Sequence, residues 1–100
     1  MNYSVSILAE AELDIDKAYI WYELAQIDLG NKFYKKVNES ISFISKNPFA
    51  CQVIYKGIRR FVLKKFPYGI YYKVNFEQKE IQIVGVLHFK RDPKIIRQRI

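Results

Sequence analysis

Residues 58–91, IRRFVLKKFPYGIYYKVNFEQKEIQIVGVLHFKR, constrain the fold more than any other part of the chain. β-Branched and aromatic residues dominate the stretch, and turn-forming residues cut it twice. Phe66-Pro67-Tyr68-Gly69 has Pro at the second position and Gly at the fourth, which predicts a tight turn joining a strand over 58–65 to one over 70–76. On the second of these, Ile70, Tyr72, Val74 and Phe76 fall on one face and Tyr71, Lys73 and Asn75 on the other. Glu77-Gln78-Lys79-Glu80 predicts another turn. Residues 81–89 are apolar at nearly every position, as in a central strand. Three strands in a row with short joints make an antiparallel meander.

The preceding half supplies what such a sheet needs to bury. YSVSIL over 3–8 alternates Tyr3, Val5 and Ile7 against Ser4, Ser6 and Leu8, which predicts a short strand. Ala11, Ile15, Ala18, Tyr22, Ala25 and Leu29 then recur every three or four residues, the stripe of a helix over about 10–26. Asp14, Lys17 and Glu23 lie mostly away from that stripe. Gly30 and Asn31 predict a break, with Asp28 able to cap a second helix whose apolar face is Phe33, Val37, Ile41 and Ile44. That helix ends before Pro48. Residues 49–57 read as a connector with strand character at Gln52–Tyr55, and residues 90–100 as a basic tail, either a short helical turn or mobile. The expected fold is α+β, ordered β-α-α-β-β-β. A helical hairpin packs on one face of a small, mainly antiparallel sheet, and the other face is open.

A chain of 100 residues is read as one domain, 1–100. No apolar run reaches the ~20 residues a membrane helix needs, so no membrane partner is expected. The first residues show no export signal, and the lone Cys51 suits a reducing cytoplasm. No cofactor is expected, and no His, Cys and carboxylate set suggests a metal site.

Charge divides with the structure. Residues 1–50 hold five Lys against seven Asp and Glu, whereas residues 51–100 hold twelve Lys and Arg against three acids. A strand half with a balance of +9 suits a polyanionic partner, nucleic acid or an acidic protein segment. Lys56, Arg59, Arg60, Lys64 and Lys65 crowd ten residues without an acid. Arg59 and Arg60 must face opposite sides of their strand, and sequence alone does not decide which faces the open side. His88, the one histidine, is placed on a strand face with Val84 and Val86; it suits proton transfer near neutral pH, or a structural hydrogen bond at the sheet end. Lys73, Lys90, Arg91, Lys94, Arg97 and Arg99 are further cations, read as target-binding candidates or a solvated tail. Trp21-Tyr22 reads as core and edge cover rather than a base-stacking platform.

The element order, Asn47-Pro48, Gly57-Ile58-Arg59-Arg60, the Phe66-Pro67-Tyr68 turn and Val86-Leu87-His88-Phe89-Lys90-Arg91-Asp92-Pro93 together resemble the RelE/ParE superfamily of bacterial toxins. The resemblance spans essentially the whole chain. It implies a type II toxin neutralised by a cognate antitoxin, through which the complex binds operator DNA indirectly. It also implies one of two targets. ParE-like members block DNA gyrase, the branch favoured here. RelE-like members cut mRNA on the ribosome without a metal. For a nuclease the resemblance implies Arg59 or Arg60 and Arg91 as a cationic clamp and His88, or else Lys64 or Lys65, as the proton-transfer group. The RNase pattern is incomplete. No Tyr follows Tyr72, and no carboxylate lies among residues 56–66. A third possibility is an inactive module that only binds an antitoxin.

Overall fold

The computed structural model describes residues 2–100; Met1, where the reading for an export signal begins, lies outside them. The elements run β1 (Ser4–Ile7), α1 (Ala9–Ala25), α2 (Leu29–Lys46), β2 (Val53–Tyr55), β3 (Ile58–Val62), β4 (Tyr68–Asn75), β5 (Glu80–His88) and α3 (Lys94–Arg99). One sheet holds all five strands in the order β1-β5-β4-β3-β2. β1 runs parallel to β5, with Val5 opposite Ile81, and every other pair is antiparallel. The expected meander is present, extended by β2 at one edge, where the connector's strand character lay. Among the described residues no helix is long and apolar enough to cross a membrane.

The hairpin of α1 and α2 covers one face. Ala11, Ile15 and Ala18 from α1 and Phe33, Val37 and Ile44 from α2 meet Ile70, Tyr72, Ile81 and Ile83 in the main core. Small residues at the buried positions of α1 bring it close to the sheet. Phe33, Tyr22, Phe66 and Tyr68 form an aromatic group with ring centroids 5.0–6.0 Å apart, which closes the core at the β3–β4 loop.

The joint between the helices differs from expectation. Gly30 lies inside α2 rather than in a break, because the helices cross there. A Cβ on Gly30 would stand 2.7 Å from the Tyr19 carbonyl oxygen. Asp28 precedes α2 with φ +73°, and its side chain caps no backbone N–H; it accepts from the Asn31 amide. Glu23, from α1, reaches across and accepts the N–H groups of Asp28 at 2.9 Å and Gly30 at 3.1 Å. A carboxylate at a helix N-terminus also opposes the macrodipole favourably.

The predicted turn shifts by two residues. Strand β3 ends at Val62, Lys65 takes the left-handed conformation at φ +72°, and Tyr68 and Gly69 already belong to β4. A larger departure lies in β5. Tyr72 pairs with Ile83 and Tyr71 with Gly85, so Val84 is an extra residue, a β-bulge. The bulge flips the alternation: Ile81, Ile83 and Val86 enter the main core, while Val84 and Leu87 face the other side. Val84 and Val86 therefore lie on opposite faces, not on one, and His88 follows Val86 to the helix side.

The second face is not left open. The C-terminal residues form α3, and Ile96, 3% exposed, seals a smaller core of Ile58, Tyr71, Val84 and Leu87. The absence of a side chain at Gly85 makes this approach possible, because a Cβ there would stand 2.6 Å from the Ile96 side chain and 2.9 Å from the Arg99 guanidinium. Where β1 ends, the outer edge of β5 has no strand partner. Two side chains take its place. The Val86 N–H donates to Asp14 Oδ2 at 3.0 Å, and the Val84 carbonyl accepts from Arg99 at 3.0 Å. Asp14 and Arg99 pair with each other at 2.6 and 3.1 Å. That bond raises the Arg99 pKa above its ordinary value, more than burial lowers it.

One pH effect follows from the core. Tyr72 is fully buried and its hydroxyl donates to the Pro48 carbonyl at 3.1 Å. Burial, then its contact with Cys51, pushes the phenol above its ordinary pKa of 10.0, and burial raises Tyr22 and Tyr68 as well. The native state thus keeps protons that the unfolded chain releases above about pH 10. Stability is expected to hold steady below that value and to fall as pH rises through the folded-state pKa values. The maximum slope is about 1.4 kcal/mol per pH unit for each tyrosine. Urea midpoints measured from pH 8 to 12 check this, and Tyr72→Phe should make the fall shallower.

Candidate functional site

The cations do not form one surface. Strand phase sends Arg59 toward the helix side and Arg60 to the other. Arg59 donates to the Phe49 and Cys51 carbonyls and lies 5.1 Å from the Phe49 ring, so it fastens the β2 connector to the sheet. Arg60 is exposed on β3 opposite Tyr71. Its aliphatic chain lies over Gly69, where a Cβ would stand 3.1 Å from two of its carbons, and its guanidinium is 5.9 Å from the Phe89 ring.

Two adjoining clefts, each of about 350 Å3, open beside Arg60. Tyr71 and Pro93 line both. Phe89 and Arg91 border one, and Tyr55 and Arg97 the other. Arg97 is held 4.4 Å from the Tyr55 ring, and Lys56, at the β2–β3 turn with φ +39°, lies 5.6 Å from the same ring. No carboxylate lines either cleft. Arg60, Arg91 and Arg97 therefore make one cationic face, in which aromatic rings hold the guanidinium groups of Arg60 and Arg97. Such a face suits phosphates or the acidic surface of a protein.

The remaining candidates lie elsewhere. His88 points to the helix side of β5, its ring 5.2 Å from that of Tyr68, its cross-strand neighbour. Arg91 stands at the rim between the two sides and borders clefts on both. Arg99 is engaged by Asp14 within the fold. Lys64 lies in the β3–β4 loop beside Phe43 and Phe61 on the helix side, and Lys65 occupies the strained position of that loop. Lys73 borders a wide depression of about 600 Å3 at the β4–β5 turn, in the company of Glu77 and Glu80. Lys90 is exposed just ahead of α3, and Lys94 is exposed at its first residue. Sequence reasoning did not place Tyr55, Tyr71 and Phe89 on the cationic face. Phe89 and Tyr71 were readable only with the register of β4 against β5, which the bulge obscures.

A second feature stands out on α1. Leu13, Ile20 and Leu24 recur at helical spacing on its outer side and are exposed, Leu24 at 84%, and Ile27 in the turn that follows extends the stripe at 88%. Trp21 beside them is 70% exposed, not folded over a sheet edge. The helix is apolar on both its faces, which is the pattern of an element that has a partner on each side.

A family model described as the ParE toxin of the type II toxin–antitoxin system parDE matches residues 5–93. A search of curated proteins finds no match. Among solved structures, a chain of the chromosomal ParDE system from P. aeruginosa is 23% identical with a TM-score of 0.69, the match covering 86% of this chain and 95% of that one. A chain of the intact E. coli RelBE complex is 15% identical with a TM-score of 0.69, covering 89% and 99%. One from the RelBE2 complex of Mycobacterium tuberculosis is 16% identical with a TM-score of 0.63, covering 88% and 99%. At these identities the structures speak for the fold.

Proposed function

Because the chain belongs to the ParE toxin family of type II toxin–antitoxin systems, we propose that it arrests growth by inhibiting DNA gyrase and is held inactive by a cognate antitoxin. The observation that carries the gyrase reading is the separation of His88 from Arg60 and Arg97; Arg91, at the rim, is the one arginine of that face that also borders the His88 cleft. Arg60 and Arg97 lie on one face of the sheet and His88 on the other, so the imidazole does not reach a phosphate held by that pair. A cationic, aromatic face without an imidazole is suited to binding a macromolecule rather than to moving protons on it. Purified protein added to a gyrase supercoiling reaction is expected to stop supercoiling or to trap cleaved DNA, and pre-mixing with the antitoxin should restore it. Unaltered supercoiling at a large molar excess of toxin would sink this reading.

The antitoxin reading rests on the two surfaces together. The related solved structures are of toxin–antitoxin systems from P. aeruginosa and E. coli. The outer stripe of α1 suits the apolar side of an amphipathic antitoxin helix, and the arginine face suits an acidic segment. Contact with operator DNA would then come through the antitoxin.

A second reading has one observation in its favour. Tyr71 lines both arginine clefts beside Arg60, so a phenol is present among the cations although no Tyr follows Tyr72 in the sequence. A tyrosine can take part in proton transfer, which suits a metal-independent cut in ribosome-bound mRNA. Primer extension on translated messages after induction separates the two: new 5′ ends favour the nuclease, and intact messages with growth arrest favour gyrase.

A further inference from the structure

On the helix side of β5, away from Arg60 and Arg97, α1 and the end of the strand enclose a cleft of about 230 Å3. Asp14, Lys17 and Trp21 of α1 line it together with Tyr68, His88 and Arg91. Its polar groups are almost all donors. Lys17 and Arg91 have no ion-pair partner among the described residues. His88 accepts the Lys90 N–H on Nδ1 at 3.0 Å, which assigns its proton to Nε2. The Trp21 indole N–H is a donor only. Asp14, the one carboxylate lining the cleft, has both oxygens occupied by Arg99 and the Val86 N–H. The Tyr68 hydroxyl is acted on by Arg91, which lowers its pKa, and by Asp14, which raises it, although burial is the larger cause and raises it overall.

A cleft with two unpaired cations, neutral N–H donors and its one carboxylate already engaged selects an anion. The rings narrow the choice. The indole of Trp21 offers a broad exposed plane, and Tyr68 and His88 stand edge to face at 77° beside it. Rings so placed take a flat partner. The volume is below the roughly 300–1,000 Å3 of drug-sized pockets, so the cleft holds no more than a single nucleotide unit, part of which stays in solvent.

We infer that this cleft binds a nucleoside monophosphate, with the base against Trp21 and the phosphate between Lys17 and Arg91. His88 Nε2–H and the Tyr68 hydroxyl supply donors to the same ligand. The site is separate from the arginine face, although Arg91 borders both. It does not depend on which target the toxin has. Its ligand can be a free nucleotide or the phosphorylated end of a strand, because both present the same base and phosphate.

Trp21 is the only tryptophan of the chain, so its fluorescence reports the cleft directly. Titration of the full chain with AMP at low salt is expected to quench that emission saturably. Adenosine should bind at least about tenfold more weakly, and Lys17→Glu should weaken AMP by at least about tenfold. Lys17 is exposed, so its replacement leaves the fold intact, as circular dichroism would verify. His88→Gln, read by calorimetry, gives a second measure and should also weaken AMP. A short oligonucleotide with a terminal phosphate, set against the same oligonucleotide without it, separates strand end from free nucleotide. No saturable quenching by AMP or by the phosphorylated oligonucleotide would overturn the inference. So would equal binding of adenosine and AMP, or an acidic peptide that binds tenfold more tightly than either nucleotide probe. An unchanged AMP affinity in Lys17→Glu would overturn it as well.

Discussion

Asp14→Ala is expected to cost about 3–5 kcal/mol of folding stability, the range for removing one partner of a buried ion pair. The side chains of Asp14 and Arg99 are 10% and 13% exposed, so water does little to replace the lost partner. The loss is not of one contact. Removing the carboxylate leaves the Arg99 guanidinium uncompensated, the Val86 N–H without an acceptor, and the tail helix with one fewer tie to α1. Arg99→Ala should cost less, because the Val86 N–H keeps its acceptor. The double variant should be less destabilised than the sum of the two singles, a coupling that a double-mutant cycle measures. Gly85→Ala disturbs the same place by another route. Its added methyl would meet Ile96 and Arg99, and overpacking of this kind costs about 1–3 kcal/mol. Urea unfolding of the four variants checks the order. If Asp14→Ala unfolds within 1 kcal/mol of the parent, the ion pair does not anchor α3.

Replacing Arg60 and Arg97 together by alanine is expected to abolish growth arrest at expression levels where the parent arrests completely. Arginines held by aromatic rings at the centre of a binding face are typical high-energy contacts. Loss of each should weaken target binding by about ten- to a hundredfold. Both side chains are exposed and neither is in an ion pair, so the fold should lose no more than about 1 kcal/mol, mostly from the packing of the Arg60 stem over Gly69. Lys35→Ala, on the exposed side of α2, serves as the control and should leave arrest intact. Liquid-culture growth after induction, with immunoblots to equalise expression, provides the measurement. Full arrest by the double variant would show that the toxin meets its target on another surface. The outer stripe of α1 would be the next to test.

Much of this fold is written in local pattern. Alternation around Phe66-Pro67-Tyr68-Gly69 revealed the hairpin, and the three- and four-residue recurrence of Ala11, Ile15 and Ala18 revealed the buried side of α1. What local pattern missed has a common physical reason. β5 is apolar on both faces, so a one-residue bulge at Val84 leaves no trace in its alternation, yet it moves His88 to the opposite side of the sheet from Arg60. Asp14 looks like one of several surface acids until it is joined to Arg99, 85 residues away. The tail looks solvated because five of its residues are basic; Ile96 gives it a buried side only once Gly85 has made room. The candidate site suffered most, because it depends on which way each cation points, and the charge count is blind to direction. Arg59, Arg60 and Arg99 are alike in sequence, but one ties down a connector, one stands free and one is locked to Asp14.

The parallel pairing of β1 with β5 has a bearing on when the molecule can exist at all. Ser4 and Glu80 are neighbours in space, and so are Asp14 and Arg99, so the earliest elements to be synthesised wait for the latest. Closing such distant contacts carries a loop-entropy cost that must be met before they stabilise anything, and proteins built on them fold slowly. During synthesis the α1–α2 hairpin can form by itself, but its apolar side has no sheet to lie on until β5 has emerged. A nascent chain thus offers a chaperone or a waiting binding partner an interval in which the outer stripe of α1 is reachable before the arginine face has been assembled.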